Sequence, residues 1–207
     1  MARYFDVHPD NPQPRALTQV VAILRDGGLV AYPTDSGFAL GCVLGNREGL
    51  DRIRAIRDLD RHHHFTLVCS TFAQLGQYVE MGNDTFRLLR AYTPGPYTFI
   101  LRATREAPKA MLQEKRRTVG VRIPEHVTAR ALLDALGEPL MSSSLILPGS
   151  EDAATDGWSV NDELGHALDA VLDSGDAGLG PTTVVDLTGD AAEVVRVGVG
   201  DPEPFAT

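Results

Sequence analysis

Residues 29–44 read Leu29-Val30-Ala31-Tyr32-Pro33-Thr34-Asp35-Ser36-Gly37-Phe38-Ala39-Leu40-Gly41-Cys42-Val43-Leu44, two short apolar runs on either side of a polar turn. Runs of this length bounded by turn residues predict two buried strands, over 29–32 and 38–44. Pro33 has no N–H to give and is read as interrupting the ladder, while Gly41 breaks the second run and Gly45-Asn46 closes it. Thr34 and Ser36 place two hydroxyls on the turn, and Gly37 permits a ligand to approach the backbone closely.

Outward from this pair the chain alternates. Before it, Pro14 opens a helix in which Leu17, Val20, Val21 and Leu24 recur at helical spacing, ended by Gly27-Gly28. After it, Leu50, Ile53, Ile56 and Leu59 mark an amphipathic helix whose exposed face is the series Arg52, Arg54, Arg57 and Arg61. The pattern then predicts a strand at 65–69, helices at 71–78 and 84–92, and strands at 97–102 and 118–123. A helix at 127–136, a strand at 140–146, a helix at 164–171 and strands at 183–187 and 194–197 complete it. Such interleaving means an α/β fold with a mixed sheet covered on its faces. Two polar, glycine-rich stretches, 148–158 and 173–180, read as flaps near a site or as plain surface loops.

With 207 residues, 43% of them hydrophobic and 23% charged, the chain has the composition of one globular domain spanning residues 1–207. Its apolar stretches are too short to cross a membrane, and the first fifteen residues carry acids and prolines where a signal peptide needs an apolar run. Two cysteines, Cys42 and Cys69, suit a reducing compartment, so a cytoplasmic location is expected. The net charge of −9 is unevenly spread. Residues 47–122 hold 14 of the 19 basic residues against 8 acids, whereas residues 131–207 hold 15 acids and one base, Arg196. The middle third therefore offers a basic surface around the arginine helix and around Lys115, Arg116, Arg117 and Arg122, or simply a set of solvated charges.

Several chemistries are excluded by inspection: the chain has no GxxxxGK[ST], GxSxG, HExxH or CxxC. His62-His63-His64 places three imidazoles in a row, but neighbours diverge on a helix or a strand, which favours a polar turn over a metal site. A second hydroxyl cluster, Met141-Ser142-Ser143-Ser144-Leu145, falls on a strand where the period of two sends Ser142 and Ser144 to one face. These hydroxyls either pair with the backbone or face a ligand.

Together these segments resemble a known family. Residues 32–41 are similar to the P-T-x-T-x-Y-G-L opening of the YrdC/YciO family, the threonylcarbamoyl-adenylate (threonylcarbamoyl-AMP) synthases. Four further blocks agree in order: Thr93-Pro94-Gly95-Pro96-Tyr97-Thr98, Thr118-Val119-Gly120-Val121-Arg122-Ile123-Pro124, the serine strand ending in Leu147-Pro148-Gly149, and Pro181-Thr182-Thr183-Val184-Val185-Asp186 followed by Val195-Arg196-Val197-Gly198. Arg57-Asp58-Leu59-Asp60 leading into His64-Phe65-Thr66-Leu67-Val68-Cys69 resembles the YciO branch.

The resemblance implies a YrdC-like single-domain twisted mixed sheet with flanking helices and a large concave, positively lined cleft. There threonine, bicarbonate and ATP, with Mg2+ carried by the nucleotide, would form threonylcarbamoyl-AMP and pyrophosphate for tRNA modification. Carried over, Thr34, Ser36, Arg122, Ser142 and Thr182 would bind substrate. Arg57, Thr118, Ser144 and Arg196 would hold the nucleotide, and Arg57 and Arg122 would act in catalysis, with no protein-held metal. Three departures stand out: Leu59 replaces a cation, Ile146 an amide and Cys69 a histidine. A hydrogen bond to a charged group contributes roughly 1.5–3 kcal/mol, so a synthase of reduced activity is expected. The alternative is a module of the same fold that binds double-stranded RNA or tRNA through phosphate contacts.

Overall fold

A computed structural model describes residues 1–60, 63–113, 116–175, 177–178 and 180–206; Arg61, His62 and Lys115 lie outside the described residues. In chain order the elements are β1 (Arg3–Asp6), α1 (Pro14–Arg25), β2 (Val30–Thr34), β3 (Gly37–Val43), α2 (Arg47–Arg57), β4 (Thr66–Val68), α3 (Phe72–Tyr78), α4 (Asn83–Tyr92) and β5 (Tyr97–Arg102). There follow β6 (Thr118–Arg122), α5 (Val127–Leu136), β7 (Leu140–Ser144), α6 (Gly157–Leu164), β8 (Ala170–Asp173), β9 (Thr183–Asp186) and β10 (Glu193–Arg196). The strands form one ten-stranded mixed sheet in the order β1-β8-β2-β3-β7-β4-β6-β5-β9-β10.

Each face of the sheet has its own core. On one, Phe38, Leu40, Met141, Leu67, Val121 and Phe99 pack with Leu50 and Ile53 of α2, Leu75 of α3 and Leu89 of α4. On the other, Val30, Tyr32, Ala39, Val68 and Leu140 pack with Leu17, Val20, Val21 and Leu24 of α1 and with Leu132, Leu133 and Leu136 of α5. Alternate residues along a strand point to opposite faces, which explains why Tyr32 and Ala31 belong to different cores. Helices α1 and α5 cover only part of the second face, and the cleft opens beside them. Tyr32, Ala39 and Val68 serve both as the floor under these helices and as the cleft wall.

Three expectations are corrected here. Pro33 does not break the ladder: it lies within β2, opposite Phe38. The Phe38 amide donates to Ala154 O at 2.7 Å and its carbonyl accepts from Leu145 N at 2.8 Å, both away from β2. Pro33 thus faces a pair that exchanges no hydrogen bond, and β8 pairs with β2 only at Val30 and Ala31, so the missing N–H leaves no gap. The helix expected over 164–171 is instead the end of α6 followed by β8. This strand is buried at all four residues and runs parallel to both β1 and β2, and a strand buried on both faces loses the period of two that would reveal it. Strand β1 itself went unread in the sequence.

The arginine series is the third correction, because its described members, Arg52, Arg54 and Arg57, do not form a solvated face. Arg52 pairs with Asp169 at 2.7 Å and donates to Ala167 O at 2.7 Å; Arg54 pairs with Asp51 at 2.8 Å and lies over the Phe65 ring. Arg57 turns into the cleft.

The β2–β3 turn holds the polar residues that face β6. Gly37 adopts φ 84°, and a Cβ there would lie 2.5 Å from Ala153 Cβ. Gly37→Ala is expected to cost about 1–3 kcal/mol from backbone strain, with the collision added, read as a lowered urea midpoint.

Candidate functional site

The cleft encloses about 260 Å³. Its floor is one face of the sheet, where the register aligns Ser142 with Thr66, Thr66 with Gly120, Gly120 with Ile100 and Ile100 with Asp186 across five strands. Ser142, Thr66 and Gly120 keep the β7–β4–β6 part of this row low, Ile100 and Asp186 continue it, and arginines from α2, β6 and β10 line the same cleft.

Arg122 ends β6 on the same face as Thr118 and Gly120, as the period of two requires. Its side chain is only 6% exposed and forms an ion pair from Nη2 to Asp35 Oδ1, while Nη1 donates to Ser36 Oγ at 2.7 Å. Arg122 Nε and Asp35 Oδ2 are both buried without a hydrogen-bond partner, which leaves one donor and one acceptor unspent in the pair. Burial pulls the guanidinium below its usual pKa, and Asp35 acts against that. The turn is itself cross-braced: Thr34 Oγ1 donates to Gly37 O at 2.6 Å and accepts from Ser36 N at 3.1 Å. Ser36 is therefore placed behind Arg122 and supports it, rather than lining the cleft as the sequence reading had it.

Arg57, at the end of α2, donates from Nε to Ile146 O at 3.2 Å and from Nη1 to Ser143 Oγ. Arg196, at the exposed mouth, donates to Thr182 O at 2.9 and 3.1 Å and to Thr182 Oγ1 at 3.1 Å, and that hydroxyl lies 2.9 Å from Thr98 Oγ1. Burial and then the charge of Arg196 hold the Arg57 pKa down; burial and then the charge of Arg122 do the same to Arg196. Three guanidinium groups thus repel one another across one cleft. Only Arg122 has a carboxylate partner among the described residues, since Arg57 and Arg196 spend their hydrogen bonds on neutral groups. This is an arrangement that gains from an incoming anion.

Of the other expected residues, Thr34, Thr118, Ser142, Ser144 and Thr182 all line the cleft. Ser142 is held in the floor, donating to Leu40 O at 2.8 Å and lying 2.8 Å from the Tyr32 hydroxyl. Thr118 donates to Gln113 Oε1 at 3.3 Å. Ile146 also lines the cleft, but Leu59 packs against the main core and lines a separate shallow depression with Asp58 and Asp60. Cys69 is fully buried, with its thiol pushed up to about 12 by that burial. The sequence reading missed Ser143, which contacts Arg57, and Asp35, which pairs with Arg122. It set His63 aside as part of a polar turn, yet His63 lines the cleft and lies 3.1 Å from Ser143 Oγ. Burial, and then the charge of Arg57, hold its imidazole down at about 4. No group of His, Cys, Asp and Glu among the described residues is placed to hold a metal ion, and no helix among them is long and apolar enough to cross a membrane.

Fold and cleft together define an α/β protein with a concave, cation-lined site able to receive an oxyanion. Residues 22–198 match the Sua5/YciO/YrdC family, described as "Telomere recombination", and the chain belongs to that family. YciO of Escherichia coli K12 is 49% identical over 205 residues, covering 99% of this chain and 100% of that protein. Its crystal structure superposes with a TM-score of 0.96 over 100% of both chains. A threonylcarbamoyl-AMP synthase of Vibrio vulnificus is 33% identical over 159 residues, 75% of this chain and 84% of that protein. Sua5 of P. abyssi in complex with L-threonine shares the fold, with a TM-score of 0.88 at 23% identity over 97% of this chain and 59% of that one.

Removing one member of the buried pair strands the other charge. Arg122→Ala is expected to cost about 3–5 kcal/mol in urea unfolding, and the double change Arg122→Met with Asp35→Leu to recover most of it. Equal stability of Arg122→Ala and the parent would contradict the pairing.

Proposed function

We propose that the cleft binds an α-amino acid of the threonine type together with ATP and joins them, through bicarbonate, into a carbamoyl adenylate. The observation that carries this reading is the convergence of Arg57, Arg122 and Arg196 on one hydroxyl-floored cleft with a single carboxylate partner among them. Kinship with a threonylcarbamoyl-AMP synthase and with a protein solved in complex with L-threonine supports the choice of substrates.

The chemistry runs in two stages. The substrate amine, as the free base, forms a C–N bond to bicarbonate; one amine proton leaves with the departing hydroxide as water, and a carbamate remains. A carbamate oxygen then attacks the α-phosphate of ATP, and the P–O bond to pyrophosphate breaks. Arg122, with Nε unspent, is suited to the substrate carboxylate, and Thr34 and Thr182 bring hydroxyls to the same cleft. Arg57 and Arg196 are suited to exchange their neutral partners for phosphate oxygens, whose developing charge they would offset on pyrophosphate departure. Magnesium would arrive on the phosphates of the nucleotide. Ile146 presents an aliphatic side chain to this cleft and donates nothing to the nucleotide, which makes slow turnover the expected behaviour.

The test is pyrophosphate release with threonine, bicarbonate and ATP, run beside an authentic synthase. Threonine-dependent release is expected at a lower rate than that enzyme's. Arg57→Ala should lower kcat/KM by roughly 10- to 100-fold, and Ile146→Asn should raise it by about 10-fold, from the energy of one hydrogen bond to a charged group. Release that is absent, or indifferent to threonine, would remove the synthase reading.

A further inference from the structure

His63 takes no part in the reaction just described, although it stands in the cleft wall beside Arg57. Its Nε2 lies 3.1 Å from Ser143 Oγ and 3.5 Å from Arg57 Nη1. The protons of this cluster can be placed. A guanidinium only donates, and Arg57 Nη1 donates to Ser143 Oγ. Nε2 also lies within 3.5 Å of that donor-only Nη1, so the neutral ring with its proton on Nδ1 turns a lone pair, not an N–H, toward the guanidinium, and the Ser143 hydroxyl can give its proton to Nε2. Arg57 and Arg54 face this ring from α2, His64 and Asp60 from its own segment and Ser143 from β7, while the Phe65 ring packs edge-on at 5.4 Å. Two guanidinium groups and burial outweigh the single carboxylate, in keeping with an imidazole that stays neutral well below its ordinary range.

We propose that His63 is a conditional cation beside the phosphate site that acts through Ser143, neutral in the free protein and protonated when an oxyanion enters the cleft beside Arg57. The inference rests on the nucleotide reading of the cleft and adds a residue and a proton to it. An anion at Arg57 offsets the charge that disfavours the imidazolium, and one proton from solvent then binds Nε2. Nε2–H becomes a donor to Ser143 Oγ, whose two lone pairs now accept from Arg57 and His63. The Ser143 hydroxyl proton, no longer held by the ring, is free to be given to a ligand oxygen. One proton taken up thus supplies one added cation and one added donor, whereas Leu59, packed against the core outside the cleft, contributes neither.

The proposal is tested by following the imidazole nitrogen shifts of the full chain by NMR, with and without saturating magnesium-ATP or inorganic pyrophosphate, the His63 signal being assigned by its loss in His63→Gln. The His63 midpoint, at about 4 in the free protein, is expected to rise by more than one unit when either ligand is bound. By linkage, the gain in ATP affinity from about pH 7.5 to about pH 4.5 should be roughly threefold or more greater in the parent than in His63→Gln, after the ligand's own titration cancels between them. A His63 midpoint that stays put while ATP is bound overturns the proposal and leaves the nucleotide reading intact. Failure of both ligands to bind at any pH overturns the two together.

Discussion

The contact between Asp35 and Arg122 sets the shape of the molecule. Asp35 follows β2 and Arg122 ends β6, and β3, β7 and β4 lie between them in the sheet. Four ladder steps of ~4.8 Å would separate these strands by roughly 19 Å in a flat sheet, too far for an aspartate and an arginine to meet. The ends of the strands must therefore curl toward one another, and the concave face so produced is the cleft. Neither partner is well solvated, so the pair resists separation, and the turn that carries Asp35 is braced by Thr34 and Ser36 to keep it in place.

The same pair sorts the arginines by what they can do. Arg52 and Arg54 are spent on Asp169 and Asp51 and act as struts for α2. Arg122 is neutralised in part and held rigid. Arg57 and Arg196 are held by carbonyl and hydroxyl oxygens, which position a cation without cancelling its charge. A chain of net charge −9 can therefore present a locally positive cavity, since its acids are concentrated elsewhere in the chain. Hydroxyls complete the design: on the floor they satisfy one another and the backbone, as Ser142 does with Tyr32 and Leu40, and they add polarity there without adding charge.

Much of this was legible in the amino-acid sequence. Helix α1 starts at Pro14, strand β5 spans Tyr97–Arg102, and Thr118, Gly120 and Arg122 share a face, because local propensity and the period of two act over a few residues. The motif blocks at Thr34, Arg122, Ser142, Thr182 and Arg196 pointed to one cleft, and these residues do line it. The reading failed where the environment supplied the missing term. β8 is apolar on both sides because it lies inside the sheet, and Pro33 is tolerated because its ladder position needs no donor there.

Tertiary structure alone decided which side chains meet. Asp35 and Arg122 are 87 residues apart and Arg57 and Ser143 are 86 apart, and both contacts depend on strand order and register, which no short window of sequence contains. It also decided that Ser36 supports Arg122 from behind, that Leu59 packs against the edge of the core outside the cleft and that His63 faces the cleft. Sequence by itself determined residue chemistry and local periodicity, and hence the α/β class, the hydroxyl-bearing strands and the supply of cations. The direction each of those groups faces, and the charge it can keep there, came from long-range packing, because burial and neighbouring charge are properties of the folded chain.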